Sequence, residues 1–478
     1  MKNTPDIWYS EVDHKHYQIE EGVSYMIAQT SNTSQLPVEM KAVFKELKIL
    51  DHLRKANITK ACGYTCSYLF QLVFCLVFHN KNWFRLLLSK SDQRYPAKDA
   101  IYRFLNCPTY AWRRFLTLLS SFAIQKANAL TSDKRVKVLI VDDSSYDRSR
   151  SKKVELLSRC FEHNPAKNRY YRGFRMLTLG WSDGYSFFPV DFALLGSPNA
   201  LINGIDETID RRTSGYKRRV DAMTPAPEVV NTMVKRALDA GVTASHVLMD
   251  TWFTTEPLIL KLKEQGMDVI GMVNDRKQRY QFNGKSYTLK QLYGVANRIQ
   301  NQKEILRSAQ VQLKSGLPAK IVFIQNRNKK HEWLAILSTD ITLSEIEIVR
   351  TYAMRWDIEV FFKSTKSLLR LQKEFQSRSF DALISHTTIV FARYIVLSWQ
   401  HRCSNDPRTL GGIFYELCDE VSQLDWAVAL QTLLNLLDDM AKQAGKKIKN
   451  LVQKQLQQWI DGLPRYIKVY LSISLCES

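Results

Sequence analysis

The sequence has no apolar run long enough to cross a bilayer: the longest, YLFQLVFCLVF at 68–78, falls short of a spanning helix. Its opening, MKNTPDIWYSEVDHKHY, lacks a signal-peptide apolar stretch, so neither a targeting nor a spanning segment is expected. Eight cysteines are scattered along the chain. Cys62 and Cys66 are the closest pair, and no His/Cys group follows at zinc-finger distance. Reduced core thiols in a cytosolic protein are therefore expected. None of the nine histidines forms a recognisable catalytic set with Ser or Cys, which leaves a nucleophilic hydrolase unsupported. Gly173, Gly180 and Gly184 have the wrong spacing for a phosphate loop or a dinucleotide fingerprint.

Acidic charge is also scarce. Against 68 Lys and Arg stand 47 Asp and Glu, a net charge of +21. A single basic stretch usually means only a solvated surface, but here the clusters recur. They are Lys167, Arg169, Arg172 and Arg175; Arg211, Arg212, Lys217, Arg218 and Arg219; Arg276, Lys277 and Arg279; and Arg327, Lys329 and Lys330. Tyr170, Tyr171, Phe174, Tyr216 and Tyr280 lie among them. Cations that track phosphates beside aromatics that touch sugars and bases point to nucleic acid, bound with strong salt dependence. A membrane surface suits the pattern less well, because no basic amphipathic helix dominates.

Three acidic positions are set apart by their surroundings. Val136 to Val141 is an apolar run broken only by Lys137, and it ends in Asp142-Asp143. Val247, Leu248 and Met249 run directly into Asp250. A buried strand ending in a carboxylate places it at the sheet edge where open α/β sheets hold their chemistry, although an Asp there can simply cap the next turn. In TYAMRWDIEVFFKSTKSLLRL, Tyr352, Arg355, Glu359 and Lys366 are separated by three, four and seven residues. Helical geometry would put all four on one stripe, with one carboxylate, two cations and a phenol. Asp357 and Lys363 read as a merely solvated face of the same helix.

On these residues the chain resembles the insertion-sequence DDE transposases of the YREK-signature branch, over roughly residues 130–400. The resemblance implies an RNase H-like catalytic core. It assigns Asp143, Asp250 and Glu359 as the three acids and Tyr352, Arg355 and Lys366 as the rest of the signature. Asp142 is the alternative first acid, since a one-residue shift turns the side chain to the other face of the strand. Three carboxylates meeting at one point repel one another and call for a divalent cation. Two Mg²⁺ ions are expected, with Mn²⁺ as a substitute, held by Asp143, Asp250 and Glu359. The family cuts DNA at transposon ends and forms a hairpin that is reopened before joining to target DNA. Arg355 and Lys366 would hold end phosphates, and Tyr352 would position a phosphate or a flipped nucleotide. The family's base-stacking tryptophan corresponds to Trp333, which could equally be a core residue; Trp356 is a second candidate. Arg172, Arg218 and Arg103 complete the expected DNA contacts. The partners implied are terminal inverted repeats, target DNA and a second copy of the chain, in a bacterial cytoplasm at the nucleoid.

The expected fold class is α/β, an RNase H-like catalytic core with a β-rich insertion, flanked by helical regions. Residues 1–37 read as an irregular segment. Residues 38–130 read as a helical DNA-binding domain bearing Lys98, Arg103, Arg113 and Arg114, or else as a bundle supporting the core. The core would occupy 131–275 and 335–403, the insertion 276–334, and a helical dimerisation region 404–478. Within the core, Ser182-Asp183-Gly184 signals a hairpin. Two other readings stand beside the transposase: a metal-dependent nuclease of the same fold, and a non-catalytic DNA-binding protein derived from such an element.

Overall fold

The computed structural model describes residues 38–463 except 90–94, 133, 163–168, 277, 301, 303, 328, 330–331, 376, 404–407 and 444–445, together with residue 467. The expected irregular segment 1–37 and the cations Lys167, Lys277 and Lys330 lie outside the described residues. Among the described residues six helices come first: α1 (Val38–Glu46), α2 (Ile49–Lys55), α3 (Cys66–Cys75), α4 (Trp83–Ser89), α5 (Lys98–Leu105) and α6 (Trp112–Ala129). Their apolar side chains join the same buried core as the rest of the chain, and α6 packs on the sheet.

The sheet begins with β1 (Val138–Asp147), β2 (Ser158–Glu162), β3 (Arg169–Ser182) and β4 (Phe187–Leu195). After α7 (Ser214–Met223) and α8 (Ala226–Asp239) come β5 (His246–Met249), α9 (Glu256–Glu264) and β6 (Asp268–Val273). β1, β5 and β6 are parallel, and β3 is antiparallel to β1 and to β4. β1 is apolar because both faces of Val138 to Val141 are covered, as parallel strands require. The expected hairpin joins β3 to β4, with Gly184 at φ +77°. Gly180 leaves room for the Phe187 ring, which a Cβ at that position would overlap.

The β-rich stretch does not form a separate layer. It comprises β7 (Tyr280–Phe282), β8 (Lys285–Tyr287), α10 (Leu289–Val295), β9 (Asn297–Arg298), β10 (Ile305–Gln312), β11 (Pro318–Gln325) and β12 (Trp333–Ser338). β12 pairs antiparallel with β6, so this stretch extends the central sheet in the order β2-β3-β1-β5-β6-β12-β11-β10-β7-β8. Pairing there satisfies the edge of β6, which would otherwise be open.

Helices α11 (Glu345–Ala353) and α12 (Trp356–Ser367) follow, the first opened by a Ser344/Glu347 capping box. Next come α13 (Phe380–Cys403), α14 (Leu410–Gln443) and α15 (Lys446–Asp461). By length and composition α13 could cross a membrane, contrary to the expectation of no such segment, yet its apolar window is wholly buried inside the protein. A buried ion network holds it. Arg393 contacts both Glu374 oxygens, at 2.6 and 3.1 Å, and donates to the carbonyls of Phe74 and Val73. His386 Nε2 lies 2.7 Å from Glu374. Burial alone would raise the Glu374 pKa, but Arg393 and His386 hold it below the ordinary value. This network fixes the segment that leaves α12 against α3 and α13.

Candidate active site

The signature is not carried by one helix. Tyr352 closes α11, and Glu359 and Lys366 ride on α12. Between them the chain tightens: Arg355 N donates to Tyr352 O at 3.0 Å and Asp357 N to Met354 O at 3.1 Å. Such i→i−3 bonds make a 3₁₀-like turn, which stacks residues three apart and sets Arg355 over Tyr352. The expected single stripe is thus bent at Arg355, the residue that faces the acids.

β1 presents Asp142 to that bend. Arg355 Nη1 donates to Asp142 Oδ2 at 2.8 Å, and Nη2 donates to Glu359 Oε1. Lys366 Nζ donates to Ser144 Oγ at 2.6 Å, two residues along β1 on the same face. β1 and β5 are in register through Ile140 and Leu248, so Asp142 and Asp250 follow level with each other. Burial pushes the Asp142 carboxyl up to about 7; Arg355 opposes this, and the nearby charges of Asp250 and Asp143 add to it. Burial likewise pushes the Tyr352 phenol up to about 12, with Asp250 and Asp142 among its neighbours.

Asp143 points to the opposite face. There it pairs with Arg175, whose guanidinium lies 4.3 Å from the ring centroid of Trp252. The structure therefore brings Asp142, and not the expected Asp143, together with Asp250, Glu359, Arg355 and Lys366. The physical reason is strand alternation: neighbouring residues cannot share a face.

Asp250 also caps its own turn, as an Asp after a strand often does. Its Oδ1 accepts from the backbone N–H of Trp252 at 2.9 Å and of Phe253 at 3.1 Å. Among the described residues no hydrogen bond engages its other carboxylate oxygen, so capping leaves Asp250 a ligand position. Asp357 is not on a solvated face, because it accepts a 2.6 Å bond from Ser182 Oγ.

Asp142, Asp250 and Glu359 are half-buried carboxylates, a donor type that fits a hard divalent cation in its chemistry. As placed, no three His, Cys, Asp or Glu side chains among the described residues are grouped to hold an ion, and Arg355 bridges two of the three acids.

The remaining expected contacts divide. Trp356 is 63% exposed beside Arg355. Trp333 is partly buried, stacked on Tyr293 at 5.0 Å and edge-on to Phe323, which favours its core reading. Arg103 is exposed on α5, and half-buried Arg172 is tied to Ser149. Arg218 is a correction: it is buried, donates to Phe192 O at 2.6 Å and lies 3.9 Å from Asp191. Arg113 is likewise drawn inward by Asp191 and Asp221. Sequence reasoning passed over Trp252, although an aromatic residue two places after a strand-ending acid was there to be noticed. It also passed over the cations of DRSRSKK at 147–153.

Residues 81–288 match the family model of the DDE superfamily endonucleases. Residues 216–395 match that of the transposase DDE domain. Comparison with curated proteins gave no match. The first match takes in Asp142 and Asp250, and the second takes in Asp250 and the whole Tyr352–Lys366 signature. These two stretches are thus similar to nuclease-type DDE domains, the second of them to the transposase form.

Proposed function

We propose that this protein is a cut-and-paste DNA transposase of an insertion sequence, of the YREK-signature branch, with Asp142, Asp250 and Glu359 as its acidic triad. The observation that carries this reading is the joining of Asp142 and Glu359 through Arg355, with Asp250 level with Asp142 and Lys366 held on Ser144 two residues along β1, inside the two DDE-matched stretches. Strand order β4-β3-β1-β5-β6, in which β3 alone runs against the other four, supports an RNase H-like core.

The three acids would hold Mg²⁺, with Mn²⁺ as a substitute; such ions, once bound, activate an attacking oxygen and stabilise a leaving one. Arg355 has the planar fork suited to a bidentate grip on a phosphate, so a DNA end can draw it away from Asp142 and Glu359. Lys366 supplies a point charge beside Ser144 for the neighbouring phosphate. Tyr352, held protonated by burial, donates its hydroxyl to a phosphate or a displaced nucleotide. Trp356, exposed next to Arg355, is the better placed of the two tryptophans to receive a base. Joining would proceed through a hairpin on the transposon end. A dimer on paired ends is supported by the exposed Trp426, Leu433 and Leu436 of α14 and Leu451 and Trp459 of α15.

A strand-joining assay on a donor fragment tests the reading. Wild-type protein should nick and join, whereas Glu359→Gln should do neither and still bind the end. Cutting without joining would leave a nuclease. Equal loss of binding and cleavage in Glu359→Gln would remove Glu359 from the metal site.

A further inference from the structure

We infer that the basic cleft at the far end of β1 is a track for duplex DNA, gripping its backbone about five base pairs from the cut. This rests on the transposase reading and adds to it the path of the DNA. The cleft has a volume of about 1120 Å³ between the loop after β1 and the segment that follows α12. Its cations are Arg148, Arg150, Lys152, Lys153, Arg169, Lys373 and Arg378. Its one acid, Asp147, is already engaged by Arg169 at 3.2 Å. Among the described residues, the side chains of Arg150, Lys152, Lys153, Lys373 and Arg378 have no carboxylate partner, and all five are exposed.

An ordinary solvated face mixes both signs of charge. Five uncompensated cations on concave walls instead repel one another and focus a positive potential into the cleft, which a polyanion relieves. The walls are built beforehand. Arg148 Nη2 donates to Ser377 O at 3.2 Å, Glu155 N to Arg378 O at 3.0 Å, and Arg148 N to Arg172 O at 2.7 Å. The loop and the segment after α12 are thereby clamped to each other and to β3.

Position gives the register. Asp142 and Asp147 lie five residues apart on one strand, a span of about 17 Å at roughly 3.3 Å per residue. At about 3.4 Å per base pair that is some five base pairs of duplex. Lys366 on Ser144 and Gln372 on Ser145 O fill the interval, so the chain that carries Glu359 continues directly into the cleft wall.

The test uses the full-length protein and a duplex of about 30 base pairs ending at the inverted repeat that borders its gene, with binding measured against salt. The triple variant Arg150→Gln/Lys152→Gln/Lys153→Gln should lower the slope of log K against log salt by about 2 to 3. Neutral methylphosphonates near the fifth phosphate from the cut should weaken the wild type and leave the triple variant unaffected. An unchanged slope in a variant with native circular dichroism, while the wild type still nicks, would overturn the cleft alone. Wild-type protein that neither binds nor nicks this duplex would overturn the transposase reading as well.

Discussion

Arg355 Nη1 meets Asp142 Oδ2 at 2.8 Å, while its other arm holds Glu359. One guanidinium thus supplies the counter-charge that two crowded carboxylates need before substrate arrives. Its partner on β1 is the first of two adjacent acids, and that choice can be checked directly. Asp142→Asn should reduce end nicking by at least about a thousandfold with DNA binding retained, as expected of a lost metal ligand. Asp143→Asn removes the charge that anchors Arg175 and should cost about tenfold or less. Nicking assays on the two variants would assign the roles the other way if the ranking were reversed.

Arg355→Gln leaves Asp142 and Glu359 facing each other without their cation. Stability should fall by about 1–3 kcal/mol. Millimolar Mg²⁺ should raise the melting temperature of this variant more than that of the wild type, since no arginine competes for the two carboxylates. Thermal melts with Mg²⁺ or a chelator read this out. An equal metal-induced shift in both proteins would mean that Arg355 does not compete with the ion.

The two tryptophans near the signature should behave differently. Trp333 stacks on Tyr293, so Trp333→Ala should lower stability by about 2–4 kcal/mol. Trp356 is mostly exposed, and Trp356→Ala should change stability by less than about 0.5 kcal/mol while impairing the step after the first nick. Urea unfolding beside a hairpin assay separates the outcomes.

Acid sensitivity should centre on Glu374. Its folded pKa lies below the ordinary 4.5, so its contribution to stability is complete above that value and is lost as pH falls through the folded pKa. Glu374→Ala leaves the buried guanidinium of Arg393 uncompensated and should cost about 3–5 kcal/mol near neutral pH. Denaturant titrations across pH would show the variant losing less stability than the wild type on acidification.

Much of the architecture was legible locally. The apolar run before Asp142, the turn at Gly184 and the strand into Asp250 are all where chain-local patterning puts them, because buried strands and tight turns restrict residue choice over a few positions. Asp142 against Asp143 was not legible. Alternation offers two faces, and only the packing of α12 on one of them decides between the acids. Arg218 was misjudged because a cation in a basic run looks exposed until a buried Asp191 from a distant strand is found beside it. Trp333 was undecided for the same reason, since Tyr293 and Phe323 reach it from other elements.

By itself the sequence determined which acids end apolar runs, the cations spaced around Glu359 and the excess of positive charge, since composition and short-range periodicity carry that information. Tertiary structure alone decided which acid faces Arg355, that the β-rich stretch after β6 lengthens the central sheet, and that the loop after β1 closes a cleft with the segment after α12. Each depends on pairing between residues far apart in the chain, and no local pattern encodes which distant partner a side chain will meet.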